Sequence, residues 1–146
     1  MADLKGKFAV VTGGGKGIGA AIARRFIQEQ AAGVAIWDYD RELAEQTAAA
    51  LGSRAVAVRC DVSSAAQAAE ATAATLAAFG RIDILVNNAG ITRDAQFCSM
   101  TEDQWDSVLH INLDGPFYCC KQIVPLMREQ GYGKIVNISS SSANGN

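Results

Sequence analysis

Eight residues near the start of the chain, Thr12-Gly13-Gly14-Gly15-Lys16-Gly17-Ile18-Gly19, follow an apolar run and lead straight into a helical pattern. Glycines let a backbone turn tightly and approach a ligand closely. The free N–H groups and positive dipole end of a following helix attract a pyrophosphate. The spacing is TGxxxGxG, with Ile18 where the third glycine of a GxGxxG pattern would fall. A tight strand-to-helix turn uses the same residues, but the position after the first apolar run favours a nucleotide. Asp38 closes the second apolar run, close to the ~20-residue offset at which an acidic residue takes the ribose hydroxyls of NAD. A 2′-phosphate there would bring up to two negative charges beside a carboxylate. At ~4 Å and an effective dielectric near ~20 that costs on the order of a few kcal/mol. NAD(H) is therefore favoured over NADP(H), although Lys16 and Arg41 argue the other way, since either has the length to reach a 2′-phosphate.

The remaining apolar runs end in groups of the same kind. Cys60-Asp61-Val62 offers a carboxylate for an adenine amino group and an apolar wall, or else a helix N-terminal region ahead of Ser63. Asn87-Asn88-Ala89-Gly90 supplies amides able to tie strands together and two small residues that leave room for a ring, or else a simple Asn/Gly turn. The last run ends in Ser139, Ser140, Ser141 and Ser142. Polar or small residues thus recur where ligands sit in a parallel sheet, outside the carboxyl ends of its strands.

These groups need elements to hold them. Strands are predicted over residues 8–12, 34–37, 55–60, 82–86 and 134–138, most of them continuously apolar, which is the pattern of strands buried on both faces. Helices fall between them. Ile18, Ile22 and Phe26 recur at four-residue spacing on one face, residues 41–51 follow Asp40 as N-cap with Gly52 as stop, and the alanine-rich 64–79 is closed by Gly80. Thr101-Glu102-Asp103-Gln104 fits a capping box that opens a further helix. Over residues 107–130 Gly115 and Pro116 disturb the helical hydrogen bonds, and Pro125 reads as a kink. The order β-α-β-α-β-α-β-α-β predicts an α/β fold with right-handed crossovers and a doubly wound parallel sheet.

With 146 residues, 49% of them hydrophobic and 19% charged, one domain over residues 1–146 is expected. A net charge of −2 without charge runs gives no footprint for nucleic acid. No apolar run approaches the ~18 residues of a membrane span and no signal-peptide pattern opens the chain, so a soluble cytoplasmic protein is expected. Cys60, Cys98, Cys119 and Cys120 show no CxxC spacing, and His110 is the single histidine. No metal site is expected, and the cysteines read as reduced, buried small hydrophobes.

TGGGKGIG, Asp61-Val62, NNAG at 87–90, Asn112 in HINLDGPF and GKIVNISS at 133–140 together resemble the successive motifs of the short-chain dehydrogenase/reductases, in order along the whole chain. Within that family NNAGITRD, MTEDQW and GKIVNISS are most similar to the 3-oxoacyl-[acyl-carrier-protein] reductases and acetoacetyl-CoA reductases. The resemblance implies a Rossmann-type dinucleotide-binding domain with Gly13, Gly15, Lys16, Gly17, Ile18, Gly19, Asp38, Asp61, Val62, Asn88, Ala89 and Gly90 on the cofactor. It implies a catalytic Ser140 on the substrate carbonyl, and Asn112 holding a relay water through its main chain. It also implies a tyrosine and lysine in a YxxxK pattern beyond Asn146. The expectation is therefore the N-terminal portion, truncated after the fifth strand, of a reductase that interconverts a 3-oxoacyl thioester or similar ketone and its 3-hydroxy form. A catalytically inactive dinucleotide-binding fragment is the alternative, and the complete protein is expected to be a homo-oligomer. The family's basic patch near the end of the 107–130 helix is here Arg128-Glu129-Gln130-Gly131, which leaves acyl-CoA or another small ketone or alcohol open as substrate.

Overall fold

The central strands carry apolar side chains on both faces, so each face must be covered by helices. A computed structural model describes residues 4–140. It contains β1 (Phe8–Thr12), α1 (Gly17–Gln28), β2 (Gly33–Asp38), α2 (Arg41–Leu51), β3 (Ala55–Arg59), α3 (Ala65–Phe79), β4 (Ile84–Asn87), α4 (Glu102–Leu109), α5 (Gly115–Gln130) and β5 (Lys134–Asn137). The sheet is wholly parallel, in the order β3-β2-β1-β4-β5. On one face Val10, Ala35, Trp37 and Leu85 pack with Ala71 of α3 and with Cys119 and Ile123 of α5. On the other Val11, Val34, Ile36 and Val86 pack with Ala23 of α1 and with Ala44 and Ala48 of α2. This is the doubly wound sheet predicted from the sequence. No helix among the described residues is long and apolar enough to cross a membrane.

The caps explain where the helices start. Asp40 accepts from the Leu43 N–H at 3.2 Å and Ser64 from the Gln67 N–H at 3.3 Å. Thr101 and Gln104 form the reciprocal capping box. The disturbance expected within the 107–130 helix is present. The helical run from Glu102 to Gln130 is interrupted at His110–Asp114, which is π-helical. Pro116 supplies the reason, because it has no N–H to return to the carbonyl of Asn112, the i−4 acceptor of a regular α-helix.

Three other expectations are corrected. Ile18 is exposed, while Ile22 and Phe26 reach the core. Strand β4 starts at Ile84 rather than 82, although the Asp83 backbone still donates to the Phe8 carbonyl at 2.8 Å and accepts from the Lys134 N–H at 2.9 Å; its buried side chain accepts from the Phe8 N–H at 2.9 Å and from Arg81 Nη2 at 2.5 Å. Cys60 and Cys119 are buried, and burial pushes both thiols up to about 12, which makes them inert. Cys98 is exposed instead, on the short 3₁₀ turn Phe97–Ser99.

The largest buried side chain, Trp37, donates its indole N–H to Thr75 Oγ at 2.9 Å. Thr72 lies three residues earlier on α3 and bonds only its own helix, at the Ala68 carbonyl. Thr75→Val leaves a buried donor unsatisfied and is expected to cost about 1–3 kcal/mol in urea unfolding followed by tryptophan emission, whereas Thr72→Val costs about 0.5 kcal/mol or less.

Candidate functional site

Where strand order reverses, between β1 and β4, the two chains leave the sheet in opposite directions and open a crevice. Its floor is sewn by Thr12. The Thr12 hydroxyl accepts from the N–H groups of Asn88 and Ala89, both at 3.0 Å, and donates to the Val86 carbonyl at 3.4 Å. Asn88 returns its side-chain N–H groups to the carbonyls of Thr12 at 2.9 Å and Gly13 at 3.2 Å. Thr12 carried no expected role. Its sequence signal is a hydroxyl closing an apolar strand just before the glycines.

Above this floor is a cavity of about 410 Å³, lined by Gly13, Lys16, Asp38, Tyr39, Cys60, Asp61, Val62, Asn88, Ala89, Gly90, Ile91, Arg93 and Ile111. That volume suits a small-molecule ligand. The structure thus brings eight of the expected cofactor residues, Gly13, Lys16, Asp38, Asp61, Val62, Asn88, Ala89 and Gly90, to one cleft. Tyr39, Ile91, Arg93 and Ile111 join them without having been anticipated. Gly15, Gly17, Ile18 and Gly19 do not line the cavity but shape its rim.

The glycines earn their places by close approach. A Cβ on Gly13, whose φ is +60°, would stand 2.9 Å from the Ala89 Cα, and one on Gly19 would overlap the Gly13 carbonyl and Asn88. Helix α1 starts at Gly17 with Lys16 as N-cap, no side-chain cap and no acidic residue in its first turn. Its leading N–H groups therefore present a positive end at the cleft, as an anionic pyrophosphate requires.

Both carboxylates serve turns as well as the cleft. Asp38 accepts from the Gly15 N–H at 2.8 Å and the Asp40 N–H at 3.0 Å. Asp61 Oδ1 accepts from the Ser63 N–H at 3.0 Å and the Ser63 hydroxyl at 2.6 Å, so a turn ahead of α3 and a cavity wall coexist there. Of the two cations that argued for a 2′-phosphate, Lys16 lines the cavity. Arg41 instead lies along α2, bonded to Glu45 at 2.7 Å.

Asn112 sits within the π-helical turn and stands just outside the cavity. Its side chain makes a paired bond to Ile91, accepting from the N–H and donating to the carbonyl, both at 2.9 Å. Asn112 thereby fixes the loop after Gly90 with its side chain. Ser140 follows β5, which lies beside β4, and is exposed. Ser141 and Ser142 lie outside the described residues. Among the described residues no cluster of His, Cys, Asp or Glu could hold a metal ion.

Residues 7–146 match the sequence profile of the short chain dehydrogenase family. The chain is 46% identical over 143 residues to D-threitol dehydrogenase of Mycolicibacterium smegmatis, covering 96% of this chain and 55% of that protein. It is 44% identical over 141 residues to the short-chain reductase protein NovJ of Streptomyces niveus, covering 94% and 53% respectively. The crystal structure of 3-ketoacyl-(acyl-carrier-protein) reductase from Brucella melitensis complexed with NADH superposes with a TM-score of 0.92 at 36% identity, over 96% of this chain and 60% of that one. The chain spans about half the length of the curated relatives it matches.

The π-helical turn carries a measurable charge pair. His110 Nδ1 lies 2.8 Å from Asp114 Oδ2, and this hydrogen bond raises the histidine above its ordinary 6.5. The protonated ring is the stabilised form, so the pair contributes fully below the ordinary value and is lost as pH rises through the raised one. His110 is the chain's single histidine. Its NMR titration is expected above 6.5, and Asp114→Asn returns it toward that value; identical titrations in the two proteins would refute the pairing.

Proposed function

The chain belongs to the short-chain dehydrogenase family, and from that premise we propose that it binds NAD(H) in the cleft over β1, β2, β3 and β4 on behalf of an oxidoreductase whose substrate is a 3-oxoacyl thioester or a similar small ketone. The observation that carries this reading is the conjunction at Gly15. Lys16, the N-cap of α1, and the Asp38 carboxylate line the same cavity, and the Gly15 N–H between them donates to that carboxylate.

The residues divide the work. Gly13, Gly15, Gly17, Ile18 and Gly19 let the pyrophosphate approach the N–H groups of α1, with Lys16 as counter-charge. Asp38 takes the adenosine ribose hydroxyls. Asp61 and Val62 hold the adenine, and Asn88, Ala89 and Gly90 leave room for the ring sugar and nicotinamide. A nicotinamide bound there supplies or accepts the hydride. The Ser140 hydroxyl hydrogen-bonds the substrate carbonyl and strengthens that bond as the oxygen becomes an alkoxide. The main-chain carbonyl of Asn112, deprived of its i+4 donor by Pro116, holds a water of the proton relay. A homo-oligomer is supported by Trp105, Leu113 and Phe117, which are exposed along the α4–α5 run.

A sugar-alcohol substrate is the second reading, favoured by the 46% identity to a D-threitol dehydrogenase. NADH oxidation with acetoacetyl-CoA against NAD reduction with D-threitol separates the two.

Cofactor choice is tested by fluorescence titration with NADH and NADPH. The protein is expected to bind NADH more tightly. Asp38→Asn removes the charge that repels a 2′-phosphate while leaving an acceptor for Gly15, and it is expected to narrow the preference by on the order of tenfold or more. A protein that binds neither nucleotide overturns the proposed function, and one that prefers NADPH overturns its NAD half.

A further inference from the structure

Helix α2 reads Arg-Glu-Leu-Ala-Glu-Gln-Thr-Ala-Ala-Ala-Leu, and Thr47 is its single β-branched residue. A mid-helix threonine ordinarily turns its hydroxyl back onto the carbonyl four residues earlier. Thr72 and Thr75 in α3 do so, at 2.8 Å each. Thr47 does not. Its hydroxyl leaves the helix and donates to the Gly15 carbonyl at 2.7 Å, 32 residues away. The Gly15 N–H in turn donates to Asp38 Oδ2 at 2.8 Å. Gly15 also lies directly on α2, since a Cβ there would meet Asp38 Oδ2 at 2.8 Å, Leu43 Cβ at 2.9 Å and the Ala44 nitrogen at 3.1 Å.

We propose that Thr47 is a positioning residue for cofactor choice: it grips the Gly15 carbonyl so that the Gly15 N–H keeps the Asp38 carboxylate aimed at the adenosine ribose. The inference deepens the cofactor reading above and rests on it. Thr47 does not line the cavity, so it acts only through Gly15. The Gly15–Lys16 peptide leads into Lys16, the N-cap of helix α1, and shares the Gly15 Cα with the peptide that carries the Gly15 N–H. Holding its carbonyl restricts rotation at the Gly15 Cα, and through it the entry into the helix and the direction of the Gly15 N–H on the preceding peptide. Without the hydroxyl the two torsions at Gly15 loosen, its N–H holds Asp38 less firmly, and the Asp40 N–H at 3.0 Å remains as the second donor. A loosened carboxylate grips a ribose diol less well and can swing away from a 2′-phosphate. Affinity for NADH therefore falls more than affinity for NADPH.

The test titrates NADH and NADPH separately into the wild-type protein, Thr47→Val, Thr47→Ala and Thr47→Ser, with the buried Trp37 emission checking that each is folded. Loss of one hydrogen bond predicts roughly three- to tenfold weaker NADH binding in Thr47→Val, with NADPH changed by about twofold or less. Thr47→Ala, a better helix former that also lacks the donor, is expected to move the ratio in the same direction, and it decides the question should the valine variant not fold. Thr47→Ser keeps the hydroxyl and is expected to keep the wild-type ratio. The proposal is overturned if a folded donor-less variant leaves the ratio unchanged, including a loss of equal factor for both nucleotides, or if Thr47→Ser shifts it as valine does. A wild-type protein that binds neither nucleotide removes the cofactor reading and this inference together. One that prefers NADPH removes only the NAD assignment, and the ratio shift in Thr47→Ala still decides the role of Thr47.

Discussion

The Thr12 hydroxyl closes the gap on which the site is built. At a switch point the strands β1 and β4 are neighbours, but their continuations diverge, and the first backbone groups beyond each strand have no ladder partner. Left dry, those groups would each cost free energy comparable to a lost hydrogen bond. One hydroxyl takes two of the N–H groups, and the Asn88 amide takes two of the carbonyls. The crevice can open above this seam because its floor is already satisfied. Gly13 has to be glycine at the same place, because the seam draws the Ala89 backbone up against it.

A second constraint comes from the far wall. Gly115 packs so closely on Val62 that a Cβ would stand 2.8 Å from its Cγ2, which brings the start of α5 down onto the turn before α3. Pro116 then removes a helical donor at the same height. The helical run accommodates both by widening to a π-helical turn at His110–Asp114, where Asn112 reaches across to Ile91. Close packing, a missing N–H and an anchored loop are thus one structural event, and its by-product is a carbonyl without its ordinary helical partner at the edge of the cleft.

The strand pattern and the caps were legible because their causes are local. Asp40, Ser64 and the Thr101–Gln104 box act within three residues, and a continuous apolar run announces a doubly covered strand wherever it occurs. What escaped the sequence depends on partners that only the fold supplies. Thr12 acts on residues more than seventy positions away, and Thr47 looks like any helical threonine until Gly15 is placed beside it. Asp83 sits in an apolar run, and its inward turn is set by Phe8 and Arg81. Ile18 shares the four-residue spacing of Ile22 and Phe26, yet the first turn of α1 leaves it in solvent. The irregularity near Asn112 was legible because proline and glycine carry their own backbone rules.

The two cleft carboxylates show how a turn anchor can also line a cavity. An ionised carboxylate offers about four acceptor positions. Asp38 uses two of them on backbone N–H groups, and Asp61 uses two on Ser63. Those bonds orient each group and leave acceptor capacity toward the cavity. The donors to Asp38 are neutral peptides rather than cations, so they hold the carboxylate without cancelling its charge. A salt bridge would have fixed its position equally well but would have offset much of its negative charge. Anchoring Asp38 through Gly15 and Asp40 therefore gives one set of hydrogen bonds two consequences, an ordered strand-to-helix turn and a carboxylate held at the cavity wall by donors that carry no charge of their own.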